Sequence, residues 1–553
     1  MSPFLVGLVQ VVLLLALLAA VHRPFGDYLA HVYSTERHWR VERAVYRLVG
    51  VDGSARQRWP GYAAGVLGFS LASVLLLYLL QRLQPLLPLD LGRGAVEPAM
   101  AFNTASSFAT NTNWQSYVPE QVLGHGVQLA GLTVQNFLSA AVGMAVAIAL
   151  VRGFTADGDD RIGNFWVDIT RGVTRVLLPV AAVAAVLLVA LGAAMSFAAG
   201  IEVVGLDGRT HTVATAPIAS QEAIKVLGTN GGGVLNANSA HPLSNPSGAS
   251  NLLQLFLILV IPVSLTRAFG TLVGDRAQGR VLLSVMAGIC GAMLAVAWFA
   301  ESHPNGPAAL AAGAAVEGKE TRFGVPLSAL YAVITTGTST GAVNTAHDSL
   351  TGLGGGAALL NMLLGEIAPG GVGAGLYGIL VLAVVAVFLA GLMVGRTPEY
   401  LGKKLGRREI TAAALSLLVM PTAVLLGTGL ALLVPSTAAA RDEGGPHGLT
   451  EVLYAFASAA NNNGSAFAGL TATGDFLQTG LGLVMLFGRF LPMLAVLALA
   501  GALARQRPAP RTAGTLPTGG PLFAGLLGGT AVLVAALTFL PALALGPIAE
   551  ALA

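Results

Sequence analysis

The sequence predicts an all-α polytopic membrane protein in which four pseudo-symmetric helix–pore loop–helix repeats surround one pore, with one extra helix at each end. Three observations support this prediction. Hydrophobic residues make up 54% of the 553 residues and charged residues only 10%, whereas an ordinary soluble protein carries about 25% charge. Ten apolar segments are long enough to cross a bilayer. Between these segments, a polar turn recurs four times.

The predicted spans follow from length, because a helix crosses roughly 30 Å of hydrocarbon with about 20 residues. The first apolar run ends at His22-Arg23-Pro24 and has no basic residue before it, so we expect a retained helix and not a cleaved signal peptide. The stretches around 200–220 and 301–326 are expected to be surface loops. The spans are predicted at 4–21, 62–83, 127–151, 172–199, 250–272, 281–300, 353–395 (overlong and broken), 411–434, 477–502 and 521–546.

The spans and turns divide the chain into six parts. Each of the four middle parts places one turn between two spans, and each terminal part contributes one span. The parts are 1–61 (first transmembrane helix and cytoplasmic basic loop), 62–151 (pore repeat 1), 172–272 (pore repeat 2), 281–395 (pore repeat 3 with a broken second helix), 411–502 (pore repeat 4) and 521–553 (last transmembrane helix).

Basic residues predict the orientation, because Lys and Arg concentrate in cytoplasmic loops. Of the 30 Lys and Arg residues, 21 fall in the loops on one side of the predicted spans and six in the loops on the other side. The basic side is therefore expected to be cytoplasmic, which places both termini and all four turns on the extracytoplasmic side. This topology accounts for the pI near 9.1, so the lipid bilayer is the expected surroundings and no nucleic-acid partner is needed.

The four turns share composition and spacing. Each is rich in Ser, Thr, Asn or Gly, and the third and fourth also share the approach Leu-Tyr-Ala, whose Tyr lies ten residues before Gly341 and Gly464. That shared register indicates duplication. The turns are Thr110-Asn111-Thr112-Asn113-Trp114-Gln115, Gly228-Thr229-Asn230-Gly231-Gly232-Gly233, Thr338-Ser339-Thr340-Gly341 and Asn461-Asn462-Asn463-Gly464.

Polar backbone at membrane depth is tolerated only where protein buries it or where it lines a watery path. Each turn follows a stretch that we expect to be a half-helix, and four converging C-terminal ends, each worth about half a negative charge, favour a cation. Gly and Asn tolerate positive φ, and the turns contain no carboxylate, which disfavours Ca²⁺ and Mg²⁺. A monovalent cation such as potassium is therefore expected. The half-helices are predicted at 97–109, 219–228, 327–337 and 450–460.

Charged residues and glycines interrupt two of the spans. Arg489 lies in the middle of the ninth span, either as a fixed charge that stops straight-through flow or as a structural cation paired with a nearby oxygen. Glu366, Gly370 and Gly371 interrupt the seventh span, either as a gate or side exit or as a simple kink.

Three acidic residues lie near the starts of the half-helices. They are expected to be favourable N-terminal charges more than groups that concentrate cations. They are Glu97, Glu222 and Glu451.

Four stretches carry a resemblance to a known family. They are Gly228-Thr229-Asn230-Gly231-Gly232-Gly233, Asn236-Ala237-Asn238-Ser239-Ala240-His241-Pro242, Gly395-Arg396-Thr397-Pro398-Glu399-Tyr400-Leu401-Gly402-Lys403-Lys404 and Asn461-Asn462-Asn463-Gly464-Ser465-Ala466-Phe467. They resemble the potassium-binding subunit of the bacterial Kdp potassium-transporting ATPase, and the likeness covers essentially the whole chain. That family is similar in fold to the Trk/Ktr/HKT potassium transporters.

The resemblance implies a non-catalytic subunit that binds extracytoplasmic potassium at the bacterial inner membrane and delivers it to a P-type ATPase subunit, with two small membrane subunits in the complex. Potassium is then the transported ion. The first turn departs from the glycine pattern of the other three. The family's ligands map to Asn111, Thr229, Asn238, Thr340, Gly341, Asn462 and Gly464, with Gln115 and Gly231 shaping the filter. The predicted potassium site also includes Thr112, Asn230 and Gly232.

The sequence lacks the motifs of ATP hydrolysis, since it contains neither a Gly-x-x-x-x-Gly-Lys-Ser/Thr loop nor an Asp-Lys-Thr-Gly stretch. The alternative function is a stand-alone Trk-like channel driven by the membrane potential. A potential of 100 mV supplies about 2.3 kcal/mol per charge, which holds roughly a fifty-fold gradient, so uptake against a steeper gradient needs coupling. An intramembrane enzyme would need acid–base or metal pairs across spans, for which Arg489 and Glu366 are the only candidates.

Overall fold

The computed structural model describes residues 3–303, 307–510 and 514–552. Within these residues, ten helices are long and apolar enough to cross a membrane. In chain order the helices are α1 (Pro3–Ser34), α2 (Arg40–Val49), α3 (Trp59–Arg82), α4 (Pro98–Ala109), α5 (His125–Thr155), α6 (Phe165–Ala190), α7 (Ile218–Leu227), α8 (Gly248–Leu272), α9 (Arg276–Ser302), α10 (Gly324–Gly337), α11 (Gly352–Leu363), α12 (Ala374–Met393), α13 (Arg407–Leu432), α14 (Gly445–Asn461), α15 (Asp475–Ala504) and α16 (Pro521–Leu552).

Strands are minor in the described part of the chain. They form three antiparallel two-stranded ribbons, of which the first joins segments about a hundred residues apart and the other two are hairpins. The strands are β1 (Gln57–Arg58), β2 (Arg161–Gly163), β3 (Gly200–Val204), β4 (Thr210–Ala214), β5 (Glu399–Tyr400) and β6 (Lys403–Lys404). Single helical turns lie at Gln84–Leu86, Pro119–Val122, Asn238–Ala240, Pro307–Ala312 and Pro435–Ala440.

The structure confirms ten spans and corrects some of their ends. The first span was predicted to end at residue 21, but α1 continues through Pro24 to Ser34, because Leu29, Val32 and Tyr33 are buried against the core. The fourth span begins earlier and ends at Ala190 instead of residue 199. Part of the loop expected at 200–220 is the exposed hairpin β3–β4. These errors arise because hydropathy does not register tertiary packing.

Four of the shorter helices form the predicted half-helices. α4, α7, α10 and α14 end within one residue of the predicted positions, each at a polar turn. α3 and α5 flank α4, α6 and α8 flank α7, and α13 and α15 flank α14. In the third repeat, α9 and α12 flank α10, and the overlong segment breaks into α11, the turn 364–373 and α12. The chain therefore forms four helix–pore loop–helix repeats around one centre, with α1 and α16 outside them.

Burial separates central spans from peripheral ones. α5 and α8 are mostly buried, whereas α1 and α13 are mostly exposed. Exposed apolar helices are stable where they meet lipid chains instead of water. The polar turns therefore lie inside a shell of apolar helices.

A buried polar network joins repeats 1 and 2 on the side of the basic loops. The guanidinium of Arg152, at the end of α5, contacts both carboxylate oxygens of Asp168 in α6, at 2.5 and 2.8 Å. Tyr62 of α3 donates to the same carboxylate at 2.9 Å, and Arg152 also donates to the carbonyl of Tyr33. These contacts connect α1, α3, α5 and α6 at one point.

The hairpin β5–β6 makes a second connection on this side. Lys403 is fully buried, and its ammonium donates to the carbonyls of Ala156 and Gln506, beyond the ends of α5 and α15. Burial lowers the pKa of Lys403. The Gly395–Lys404 motif thus contributes a structural lysine that joins repeats 1 and 4.

Replacing Asp168 with Asn is expected to destabilise the protein by about 3–5 kcal/mol, because it leaves the Arg152 guanidinium without its counter-charge in a buried site. The matched control is Asp159→Asn, since Asp159 pairs with Arg56 in a half-exposed position where an ion pair contributes about 0–1 kcal/mol. Thermal unfolding of the detergent-purified protein measures both. Equal unfolding temperatures for the two variants would contradict a structural role for the Asp168 network.

Candidate functional site

The four half-helices end in the same way. The residue at each end adopts a left-handed backbone conformation, and the N–H of the next residue donates to the carbonyl five residues earlier, at 2.9–3.1 Å. This closure satisfies carbonyl groups that a helix end otherwise leaves free. The left-handed residues are Asn111 (φ 70°), Thr229 (φ 49°), Ser339 (φ 53°) and Asn462 (φ 59°).

Glycine is the usual residue at this position, and a side chain there costs roughly 1–2 kcal/mol. These four residues stand in place of glycine because their side chains bond the next repeat. Asn111 of repeat 1 donates from Nδ2 to the Thr229 carbonyl of repeat 2, at 2.8 Å. Thr229 in turn accepts at Oγ1 from the N–H of Val372, at 3.0 Å. Val372 lies in the turn 364–373 of repeat 3, so these two side chains connect three repeats.

The remaining two side chains close the circle. Ser339 of repeat 3 donates from Oγ to the carbonyls of Asn461 and Asn462 of repeat 4, at 2.9 and 3.0 Å. Asn462 donates from Nδ2 to Thr112 Oγ1 of repeat 1, at 3.0 Å. Each left-handed residue thus bonds the repeat that follows it. We call the four turns joined by these contacts the filter ring.

Glycine is required two residues further along three of the turns, where backbones of neighbouring repeats meet. A Cβ on Gly231 would stand 2.8 Å from the Thr340 carbonyl oxygen, one on Gly341 would meet the Asn463 carbonyl, and one on Gly464 would meet the Thr112 carbonyl. Gly341 and Gly464 also have positive φ. The backbone itself therefore forms the inner contacts between repeats 2 and 3, 3 and 4, and 4 and 1.

Repeat 1 has Asn113 where the other repeats have glycine. Its φ is 60°, which Asn tolerates better than most residues. Its side chain points away from the contact made by the glycines and donates to Asn136 and Asn230, at 2.9 and 3.1 Å. Gly232 lies against the Asn113 backbone and the ring of Phe108. The departure of the first turn from the glycine pattern is thus compensated by an amide cluster.

The residue between these two positions alternates around the ring. In repeats 1 and 3 it is Thr112 or Thr340, and its hydroxyl bonds the threonine two residues earlier, at 2.8 and 2.7 Å. In repeats 2 and 4 it is an asparagine, and Asn230 and Asn463 extend away from the ring into bonds with buried backbone carbonyls. The fourfold ring is therefore built from two pairs of alternating turns.

Repeat 2 is supported by a buried lysine that the sequence did not single out. Lys225 of α7 contacts Glu222 at 2.8 Å and donates to Asn238 Oδ1 at 2.8 Å and to Ser239. Asn238 in turn donates from Nδ2 to the Gly231 carbonyl, at 2.6 Å. The predicted ligand Asn238 thus lies against the ring with its amide oxygen bonded to Lys225. The Glu-x-x-Lys spacing before the second turn is the signal that points to this pair.

Two further supports come from elements around the ring. Gln115 lies at its rim, where its side-chain oxygen accepts from the N–H of Gly233, at 2.9 Å. Ser139 of α5 donates to the side chain of Asn111, at 2.7 Å. Ser139 and Asn136 were missed in the sequence, although polar residues one turn apart in an apolar span are the signal for them. Side chains that surround the ring therefore hold its residues in place.

The filter ring lies between two cavities. The outer cavity has a volume of about 380 Å³ and is lined by residues that include Gln115, Gly231, Gly341 and Gly464. The lower cavity has a volume of about 110 Å³, and Ser339 and Asn462 line it. Because Ser339 and Asn462 line one cavity and the three glycines line the other, the ring forms the wall between them.

Glu366, Gly371 and Arg489 lie below the ring. Glu366 accepts from Asn463 Nδ2 at 2.7 Å, and its other oxygen has no hydrogen-bond partner in the described chain. Gly370 donates its N–H to the Gly337 carbonyl at 2.8 Å. A Cβ on Gly371 would stand 3.0 Å from the Thr338 carbonyl oxygen. The interrupted seventh span therefore packs its turn directly under the third half-helix.

Arg489 is buried in the middle of α15 and lines the lower cavity with Glu366. In the described part of the chain it forms neither a salt bridge nor a hydrogen bond. Its Nη2 lies beside Gly143 of α5, where a Cβ would stand 3.2 Å away. Glu366 is an acidic group whose charge interacts with that of Arg489 across the lower cavity, so both roles considered for Arg489 from the sequence stay predictions.

The acidic residues assigned to half-helix starts occupy three different settings. Glu97 precedes the first residue of α4 as expected. Glu222 lies inside α7, paired with Lys225. Glu451 lies inside α14, which begins at Gly445. Neither Glu222 nor Glu451 lies in the first turn of its helix, so the prediction of an N-terminal charge is wrong for both. α14 begins five residues earlier than predicted, and Glu222 lies in the second turn of α7, where it pairs with Lys225.

Comparison with known proteins gives consistent matches over the whole chain. The family model described as "Potassium-transporting ATPase A subunit" matches residues 12–552. A protein of Rhodococcus erythropolis named potassium-transporting ATPase potassium-binding subunit is 63% identical, with 100% of each chain covered. A protein of the same name from Streptomyces coelicolor is 58% identical, again with 100% of each chain covered.

The fold is also found among solved structures. The potassium transporter TrkH from Vibrio parahaemolyticus superimposes with a TM-score of 0.53, covering 86% of this chain and 97% of that one. The sequence identity is 15%, so this likeness concerns the architecture of the four repeats alone.

Replacing Gly341 with Ala is expected to destabilise the protein by about 1–3 kcal/mol more than Gly395→Ala, because the new methyl group meets the Asn463 carbonyl. Gly395 is the matched control, since its φ is also positive, at 65°, and no atom lies within 4 Å of its would-be Cβ. Both variants thus share the backbone cost. Chemical or thermal unfolding compares them, and equal losses would show that Gly341 is not tightly packed in the ring.

Proposed function

The chain belongs to the family of potassium-transporting ATPase A subunits, and on that premise we propose that the filter ring is where it selects potassium. The chain is a potassium-binding transport subunit, and ATP hydrolysis belongs to a partner chain of the ATPase complex. The sequence accordingly carries neither a phosphate-binding loop nor a phosphorylated-aspartate motif.

The observation that carries the site proposal is the construction of the ring. Four helix C-terminal ends meet at one place, and each end supplies partial negative charge from its carbonyls. No carboxylate belongs to the turns. Neutral oxygens in a ring can replace the hydration shell of a weakly hydrated monovalent cation, whereas Mg²⁺ and Ca²⁺ prefer carboxylates. The chemistry of the ring therefore suits potassium.

We assign the proposed roles by position. The residues of the proposed potassium site are Asn111, Thr112, Thr229, Asn230, Gly231, Gly232, Asn238, Thr340, Gly341, Asn462 and Gly464, with Gln115 at the rim. Among these, the bonds of Asn230 and Asn238 to other side chains and carbonyls favour a positioning role beside the ring. Their side chains hold neighbouring backbone in place and leave its carbonyls for the ion.

The lower cavity is the proposed continuation of the path. Arg489 contributes a buried positive charge there, opposite the partly unpartnered carboxylate of Glu366. A cation that leaves the ring is repelled by the Arg489 charge. The low dielectric of the protein interior strengthens this repulsion. We propose that Arg489 blocks straight-through flow and that the turn containing Gly370 and Gly371 directs the ion sideways.

The proposed orientation places the ring on the outer side of the bacterial inner membrane, with both termini outside. It rests on the 21 basic residues in the loops opposite the turns. The proposed partners are a P-type ATPase subunit, which receives the ion, and small membrane subunits. An ATPase partner would let uptake proceed against gradients steeper than the membrane potential supports.

Potassium-stimulated ATP hydrolysis by the purified complex tests the function. Hydrolysis should rise and saturate with potassium, and potassium should enter vesicles only while ATP is present. A purified chain that conducts potassium in vesicles with no ATPase partner would instead identify a channel driven by the membrane potential.

Gly231→Asp is expected to raise the half-saturating potassium concentration at least about tenfold and to relax discrimination against sodium, because a charged side chain enters a position packed against Gly341. Ala346→Asp is the matched control: Ala346 is exposed and lines the outer cavity, so the same charge is added outside the ring. Cation titrations of ATPase activity compare the two. An unchanged half-saturation in Gly231→Asp would remove Gly231 from the filter.

Arg489→Ala is expected to raise ATP-independent potassium leak while leaving ion selectivity largely unchanged, because the residue lies below the ring and not in it. Arg489→Lys keeps the charge and should keep the leak low. Potassium flux into vesicles without ATP measures the difference. A well-assembled Arg489→Ala complex with normal coupling and no added leak would refute the barrier role.

A further inference from the structure

A cluster of metal-ligating side chains lies outside the filter ring, beyond the third and fourth turns. It consists of Asp348, His447 and Glu451, and we call it the outer cluster. One ligand atom from each residue lies within 4.8 Å of the other two. His447 and Glu451 are four residues apart in α14, so they project from one face of that helix. None of the three takes part in the contacts that hold the ring.

The imidazole of His447 connects two acidic groups. Its Nε2 lies 3.3 Å from Asp348 Oδ1, and its Nδ1 lies 3.1 Å from Glu550 Oε1. Glu550 belongs to the last turn of α16. A carboxylate behind the second nitrogen is the usual way in which proteins orient a metal-binding histidine.

Glu451 is an unpartnered carboxylate aimed into this cluster. The residue is fully buried, and neither of its carboxylate oxygens has a hydrogen-bond partner of normal geometry in the described chain. A buried carboxylate normally pairs with a cation or coordinates a metal. Asp348 and Asp442 add like charge beside it, and the imidazole of His447 is already in contact with Asp348 and Glu550.

Gly469 leaves space for both carboxylates because it has no side chain. A Cβ on Gly469 would stand 2.5 Å from Glu451 Oε1 and 2.9 Å from Asp348 Oδ2. The N–H of Gly469 donates to Asp348 Oδ2 at 3.2 Å. Gly469 follows the fourth turn, so the loops after the third and fourth turns meet at these carboxylates.

We propose that the outer cluster binds one divalent transition-metal cation, such as Zn²⁺, through His447 Nε2, Asp348 and Glu451. One imidazole with two carboxylates is a ligand set that Zn²⁺ accepts, and imidazole disfavours Mg²⁺ and Ca²⁺ relative to transition metals. Glu550 is the positioning residue, because it accepts from Nδ1 and leaves Nε2 for the metal.

The bound metal joins separate parts of the fold. Asp348 lies after the third turn, His447 and Glu451 lie on the fourth half-helix, and Glu550 lies at the end of α16. A metal at this point would fix the approach of the fourth half-helix against the third repeat and the last span. The outer cluster shares no residue with the proposed potassium site.

Zinc binding by the intact purified complex tests the proposal. After removal of metal with a chelator, ZnCl₂ is titrated by calorimetry, and thermal unfolding is followed with and without zinc. We expect one saturable site per chain and a higher unfolding temperature with zinc. Glu550→Gln should weaken zinc binding by about 10–100-fold, and His447→Gln, Asp348→Asn and Glu451→Gln should abolish it.

Asp475→Asn is the matched control, since Asp475 is exposed at the start of α15 and is not part of the cluster. It removes the same charge and should leave zinc binding unchanged. His447→Gln and Asp348→Asn change partly exposed side chains, so they keep the test informative if Glu451→Gln fails to fold. The proposal is overturned if the wild-type complex shows no saturable zinc binding or if His447→Gln and Asp348→Asn bind zinc as tightly as the wild type.

Discussion

The structure depends on one constraint: four helices end inside the membrane, and the polar backbone at their ends must be satisfied there. In lipid, each unsatisfied N–H or C=O costs several kcal/mol. The chain meets this requirement with a left-handed residue after each half-helix and a backbone bond that closes each end. The same residues carry the side chains that bind the next repeat, so satisfying the helix ends also closes the ring.

This arrangement explains why the ring contains strained residues. Thr229 and Ser339 occupy a conformation that glycine adopts more easily. Glycine there would remove the hydroxyl groups that contact Val372 and the fourth turn. The local cost of each left-handed side chain is therefore offset by a buried hydrogen bond between repeats. In three of the turns, glycine lies two residues further along, where the backbones of adjacent repeats touch.

The pseudo-fourfold symmetry is incomplete in ways that matter for transport. Threonine and asparagine alternate around the ring, Lys225 supports only the second turn, and the break in the seventh span places Glu366 below the third and fourth turns. A symmetric ring suits an ion without its hydration shell, but symmetry by itself gives the ion no lateral direction. In the proposed mechanism, Arg489 below the ring blocks the straight path, and the turn that contains Glu366, Gly370 and Gly371 provides the lateral direction.

The sequence by itself determined the ten spans, the four half-helices and the turns, because hydropathy and repeated polar motifs are local properties. It also located the glycines of the ring. The tertiary structure decided which side chains bridge repeats, because Asn462 and Thr112 are 350 residues apart. It likewise assigned Asn238 to Lys225 and brought Glu451, Asp348 and Glu550 together. Those contacts depend on how the repeats close around the pore, and no periodicity along the chain records that closure.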